Sequence, residues 1–123
     1  MKKLIFILIV GSFFMGCAPV VNYTPILGSQ SPKPVEYNVL VYDEGEAIPN
    51  KYTTIGTLKV GDGGMSTGCE YLEDVIRLAK RKARSVGGDA IQITSIKRPS
   101  PLSSTCFRIT ANVIIFNNTK DSN

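Results

Sequence analysis

Few residues of this 123-residue chain could carry out chemistry, because it contains three cysteines and no histidine. Without histidine, neither a Ser-His-Asp set nor a Cys-His pair can be assembled. Cys17, Cys69 and Cys106 alone do not supply the ligands that a zinc site requires. A carboxylate pair could be drawn from four acidic residues near one predicted helix: Asp62, Glu70, Glu73 and Asp74. Acidic residues in a first helical turn usually complement the helix dipole, so we predict no enzyme, metal or cofactor site.

The N-terminal segment, residues 1–16, has the pattern of an export signal, in which two lysines precede an apolar stretch. This stretch is shorter than the roughly 20 apolar residues of a transmembrane helix. Residues 14–17 (FMGC) resemble the lipobox of bacterial lipoproteins. The resemblance implies cleavage after Gly16 and acylation of Cys17, with several acyl chains giving a stable anchor. Ala18 in place of Asp favours the outer membrane over the inner membrane; the alternative is an ordinary secretory signal with an incidental cysteine.

With Cys17 acylated, Cys69 and Cys106 remain as an even pair in an exported chain, which favours a disulfide. The bridge would join the start of the predicted helix to the start of the last predicted strand. Closing so long a loop stabilises a small domain by about 4 kcal/mol. The alternative is a redox sensor, because a helix N-terminus can lower the pKa of a thiol.

A single long helix is predicted within residues 69–90. Five apolar residues at spacings of three and four share one face: Leu72, Ile76, Ala79, Ala83 and Val86. Two of the five are alanines, so a sheet could approach the helix closely. Gly87 and Gly88 can supply the left-handed residue that ends it.

Basic residues crowd the later turns of this helix: Arg77, Lys80, Arg81 and Arg84. They form either a solvated face or a binding patch for acidic lipid headgroups, lipopolysaccharide or an acidic protein. No aromatic residues interleave with them, which argues against nucleic acid. The formal charge of +4 includes Lys2 and Lys3 of the signal segment, so the charge of the mature chain is too small to suggest nucleic acid either.

Two strands are predicted before the helix in the sequence, at residues 35–42 and 52–60, and two after it, at residues 90–96 and 105–116. Gly56 in the second strand suggests a bulge or a close backbone approach. Residues 61–68 are glycine-rich and could cradle a phosphate, but they lack the Walker and GxGxxG patterns and are predicted to be structural.

These elements predict an α+β fold in which one helix packs on a small sheet in the order β-β-α-β-β, with one disulfide. The domain would span residues 35–117 and be followed by a polar tail at residues 118–123. Residues 17–34 would form the lipidated N-terminus and a proline-rich tether that reaches up to roughly 50 Å.

Several short stretches resemble known proteins: GDGGMSTGC before the helix, KRKARSVGGDAI into a strand, and STCFRITANVII. They are similar to the outer-membrane stress-sensor lipoprotein of the Rcs phosphorelay and to YbjQ-like small α/β domains, over roughly residues 52–116. In the sensor family a cysteine before the helix pairs with one that opens the last strand, and Cys69 and Cys106 occupy those places. The second disulfide of the family has no counterpart here.

We therefore expect a membrane-anchored envelope lipoprotein that acts as a non-enzymatic binding or stress-sensing module, as the Rcs sensor does. The alternative is a structural envelope lipoprotein that contacts outer-membrane proteins or the cell wall without signalling. Both hypotheses imply an envelope protein partner whose identity the sequence does not give.

Overall fold

The computed structural model describes residues 20–28, 30–61, 70–100 and 106–117. Within these residues, five strands form one sheet and a single helix packs against it. In chain order the elements are β1 (Val21–Pro25), β2 (Leu40–Tyr42), β3 (Tyr52–Val60), α1 (Leu72–Ser85), β4 (Ala90–Lys97) and β5 (Arg108–Phe116). The predicted α+β class is confirmed, but the order β-β-α-β-β is wrong, because a further strand precedes the others.

The strand order in the sheet is β1-β3-β5-β4-β2. Strands β2 and β4 are parallel, and the other neighbouring pairs are antiparallel. The longest pairing joins β3 to β5, from Tyr52 opposite Phe116 to Val60 opposite Ile109. Strand β5 therefore lies at the centre of the sheet, which agrees with the complete burial of Ala111 and Val113.

Strand β1 lies within residues 17–34, the predicted tether. It pairs with β3 along its whole length, from Val21 opposite Val60 to Pro25 opposite Gly56. Its alternate residues point to opposite sides, so that Tyr23 packs against the core while Asn22 is exposed. Proline is tolerated here because β1 is an edge strand. The expectation of an extended tether is wrong for this part of the chain.

The connection from β1 to β2 also lies against the domain. The backbone N–H of Lys33 donates a hydrogen bond to the carbonyl oxygen of Arg84 at 2.8 Å. The strand predicted at residues 35–42 shortens to Leu40–Tyr42, although Val39 just before it is buried. A turn in which the N–H of Tyr37 bonds to the carbonyl of Pro34 replaces the missing part.

Helix α1 covers one side of the sheet with small side chains. Three of its residues are completely buried: Val75, Ala79 and Ala83. Four apolar neighbours are partly buried around them: Leu72, Ile76, Leu78 and Val86. The predicted apolar face is therefore confirmed at both alanines, but its centre is shifted toward Val75. The helix end lies so close to the sheet that a Cβ on Gly88 would clash with Val113.

Two glycines have the conformation or the close contact that was predicted for them. Gly87 follows the helix with φ of 86°, in the left-handed region, and its N–H donates to the carbonyl of Arg84. Gly56 lies at an irregularity in the β3–β5 register, and the ring of Tyr23 fills the space that a Cβ at Gly56 would need. The predicted bulge and close approach at Gly56 are both confirmed.

Candidate functional site

Among the described residues, Cys106 is the only cysteine. Its side chain is completely buried in the core and disulfide-bonded. Burial of this sulfur favours a structural bridge over a redox sensor, which needs an accessible thiol. Cys17, Cys69 and most of the glycine-rich loop lie outside the described residues. Acylation of Cys17 and pairing of Cys69 with Cys106 therefore stay predictions.

The predicted basic patch lies on the side of α1 opposite its buried alanines. Five residues line a shallow groove of about 310 Å³ there: Glu73, Ile76, Arg77, Lys80 and Arg84. Arg81 is exposed on the same side. The guanidinium Nη2 of Arg77 lies 2.9 Å from Oδ1 of Asp74, one helical turn earlier. The structure thus brings the basic residues together, but Glu73 and Asp74 lie among them and reduce the net positive charge.

A second polar group, the Asp89 cluster, consists of Lys33, Tyr37, Asp89 and the backbone N–H of Phe116. The hydroxyl of Tyr37 donates a hydrogen bond to Asp89 Oδ1 at 2.9 Å, and Lys33 Nζ lies 3.1 Å from the same oxygen. The N–H of Phe116 donates to Asp89 Oδ2 at 2.8 Å. The cluster therefore ties the β1–β2 connection to the end of β5.

Two opposing effects act on the Asp89 carboxyl. Burial raises its pKa, but the hydrogen bonds from the Phe116 N–H, Lys33 and Tyr37 outweigh burial and lower the pKa below its ordinary value of 3.8. The pKa of Tyr37 is raised, first by burial and then by its hydrogen bond to Asp89. At neutral pH the carboxylate is charged and fully engaged within the fold, which indicates a structural role.

The side of the sheet away from α1 carries basic residues that are far apart in the sequence and were not predicted to form a patch. Lys59, Lys97 and Arg108 come from three different strands and line one cavity of about 330 Å³. The other lining residues are Val20, Asn22, Val60, Ser95, Ile109 and Thr110. None of these nine residues has a carboxylate. We call this concavity the sheet-face cavity.

Strand register explains how the cavity forms. Lys59 lies opposite Thr110 on β5, Thr110 lies opposite Ser95 on β4, and Lys97 lies opposite Arg108. Alternate residues of a strand point to opposite sides, so these polar side chains face away from the helix while their neighbours enter the core. Ammonium, guanidinium, hydroxyl and amide groups all donate hydrogen bonds, which suits an anionic ligand.

Within the described ranges of the chain, no group of three or more His, Cys, Asp or Glu side chains could hold a metal ion. No helix there is both long and apolar enough to cross a bilayer.

Comparison with known proteins gives information on the fold. No protein-family model matches the sequence, and no curated protein matches it. The structure is similar to the crystal structure of the Francisella virulence factor FvfA in its orthorhombic form, with a TM-score of 0.55. The likeness covers 80% of this chain and 99% of that one at 14% sequence identity. At this identity the similarity shows a shared fold and says nothing about activity.

Proposed function

We propose that the protein is a membrane-anchored envelope lipoprotein, held by acyl chains on Cys17, that acts as a non-enzymatic binding or stress-sensing module. The observation that supports this most directly is the position of β1. Strand β1, the first element in the described part of the chain, begins at Val21, four residues after the cysteine of the FMGC pattern. An anchor at Cys17 would therefore be attached almost directly to the folded domain.

Covalent geometry limits how far the domain could stand from such an anchor. Four fully extended residues span at most about 14 Å, compared with roughly 50 Å for the extended tether expected at first. The contacts of Lys33 with Arg84 and Asp89 hold the following segment on the domain as well. The module would then act at the membrane surface on which it is anchored, rather than reach far from it.

Metabolic labelling with an alkyne analogue of palmitate, followed by membrane fractionation, tests the anchor. We expect the wild-type protein to carry the label and to fractionate with membranes, whereas Cys17→Ser should lose the label. The matched control is Ala18→Ser, which changes the adjacent residue and should keep the label. In an enteric host, Ala18→Asp should move the labelled protein to the inner membrane. An unlabelled wild-type protein would contradict the proposal.

Crosslinking followed by pull-down of the acylated protein separates sensing from a structural role. Recovery of a signalling protein supports the sensing module. Recovery of a porin or an assembly factor alone contradicts sensing and supports the structural alternative. Charge reversal at Arg77 and Arg81 in the same assay tests the helix patch, and unchanged partner recovery would count against that patch.

A further inference from the structure

The sheet-face cavity lies at the end of the domain from which the chain leads to Cys17. Val20 lines the cavity, and the next residue, Val21, pairs with Val60 at the end of β3. At the same end of the sheet, Lys97 pairs with Arg108. Three extended residues span at most about 11 Å, so Cys17 cannot be farther than this from Val20. An acyl anchor would hold the cavity at the level of the lipid headgroups.

The charge of the cavity indicates that its ligand is anionic. Lys59 and Lys97 bring two ammonium groups to a concave surface whose lining, among the described residues, also includes Arg108 and has no carboxylate. Arg98, which follows Lys97, is exposed and adds a further positive charge at this end. The helix patch differs from the cavity in position and in charge. It lies on the opposite side of the domain, and it includes the carboxylates of Glu73 and Asp74.

We propose that the sheet-face cavity binds the phosphate groups of anionic lipids in the membrane to which Cys17 is anchored. This inference rests on the proposed function, since the acyl chains bring the cavity to the headgroups. The ammonium groups of Lys59 and Lys97 neutralise the phosphate charge, while Asn22, Ser95 and Thr110 can donate hydrogen bonds to its oxygens. The contact fixes which side of the domain faces the bilayer and leaves the outer side of α1 directed away from that contact.

Site-specific photocrosslinking of the full-length, acylated protein in vesicles tests this orientation. A benzophenone amino acid replaces either Ser95 in the cavity or Arg81 on the outer side of α1, and mass spectrometry quantifies lipid adducts. The vesicles contain either phosphatidylcholine alone or phosphatidylcholine mixed with phosphatidylglycerol. We expect adducts mainly at position 95, and more of them when phosphatidylglycerol is present.

Charge-neutral variants make the test specific. Each basic residue near an anionic membrane surface contributes about fivefold to binding, so Lys59→Gln with Lys97→Gln should reduce the position 95 adducts at least fivefold. The matched control is Lys80→Gln with Arg81→Gln, which removes the same charge from the helix patch. This control should leave the number of lipid adducts at position 95 unchanged. The control is combined only with the probe at position 95, because the other probe itself replaces Arg81. Thermal melting verifies that each variant folds.

Three results would overturn the inference. Adducts at position 95 that do not depend on phosphatidylglycerol or on Lys59 and Lys97 would show that the cavity does not bind anionic lipids through their charge. Adducts mainly at position 81 would assign the membrane contact to the helix patch. Equal adducts at both positions would mean that the domain has no fixed orientation. Palmitate labelling of the same preparation distinguishes these results from failure of the anchor itself.

Discussion

Replacement of Asp89 by Asn tests how firmly the N-terminal segment is held on the domain. The side chain of Asp89 is only 15% exposed, and both of its oxygens accept hydrogen bonds or an ion pair. Asn has nearly the same shape, so Asp89→Asn removes the charge without creating a cavity. The amide can accept a hydrogen bond through one atom only, and its NH₂ group must face a donor.

The expected loss follows from these contacts. Hydrogen bonds that involve a charged group contribute roughly 1.5–3 kcal/mol each. Tyr37 and Lys33 both contact Oδ1, so an amide oxygen in that position keeps weakened forms of these two contacts, and the contact with the Phe116 N–H is lost. We therefore expect Asp89→Asn to lower the free energy of unfolding by about 2–3 kcal/mol. For a domain of about 100 residues this corresponds to a fall of about 10 °C or more in Tm.

Urea unfolding at several pH values measures the effect. The pKa of Asp89 is lower in the folded protein than its ordinary value of 3.8. A lowered pKa contributes stability that is fully present above the unfolded value and is lost as pH falls through the folded value. The difference between wild type and Asp89→Asn should stay constant above about pH 5 and shrink at lower pH.

Asp74→Asn is the matched control, because Asp74 also pairs with a basic residue, Arg77, but that pair lies at the surface. Surface ion pairs contribute about 0–1 kcal/mol, so this variant should change stability little. Equal losses in the two variants would refute the reasoning. So would a difference between wild type and Asp89→Asn that persists unchanged at acidic pH.

Three further predictions concern packing and the disulfide. Gly56→Ala should destabilise the domain because its Cβ meets the Tyr23 ring, and a double-mutant cycle with Tyr23→Ala should show that this loss largely disappears; additive losses would contradict the contact. Ala83→Leu should cost about 1–3 kcal/mol in urea unfolding, whereas Arg81→Leu on the outer side of α1 should cost little; similar values would argue against the close approach of helix and sheet. Cys69→Ser should lower the free energy of unfolding by about 4 kcal/mol, and reduction should bring wild type to the same level. An oxidised wild type that melts no higher than Cys69→Ser would contradict a stabilising bridge.

Much of the domain could be predicted from local patterns. Apolar residues at helical spacing located α1, and its two alanines correctly indicated a close approach to the sheet. Runs of β-branched residues located β3, β4 and β5 to within a few residues. Each of these signals depends on residues that are near one another in the sequence, so a single sequence contains them in full.

Strand β1 was missed because its signal competes with proline. Pro25 and three further prolines in residues 18–34 suggested an extended linker, and the alternation of Val21, Asn22 and Tyr23 is too short to outweigh them. Its stability as a strand comes from pairing with β3 and from Tyr23 packing on Gly56. Those contacts join residues more than 30 positions apart, which no local pattern specifies.

The sheet-face cavity was missed for a related reason. Lys59 and Arg108 fall on the polar sides of their predicted strands, and this placement can be predicted from the sequence. Their proximity to each other and to Lys97 depends on the strand order β3-β5-β4, which composition and periodicity do not determine. The helix patch was easier to find because its residues lie on one helix at positions 77–84, although Glu73 and Asp74 lie beside them in the structure.

The mass of the N-terminal peptide of the protein extracted from membranes tests the central claim most directly. We predict a mature chain that begins at Cys17 and carries acyl chains on that residue. A peptide in which Cys17 is unmodified, or in which residues 1–16 are still attached, would contradict the account.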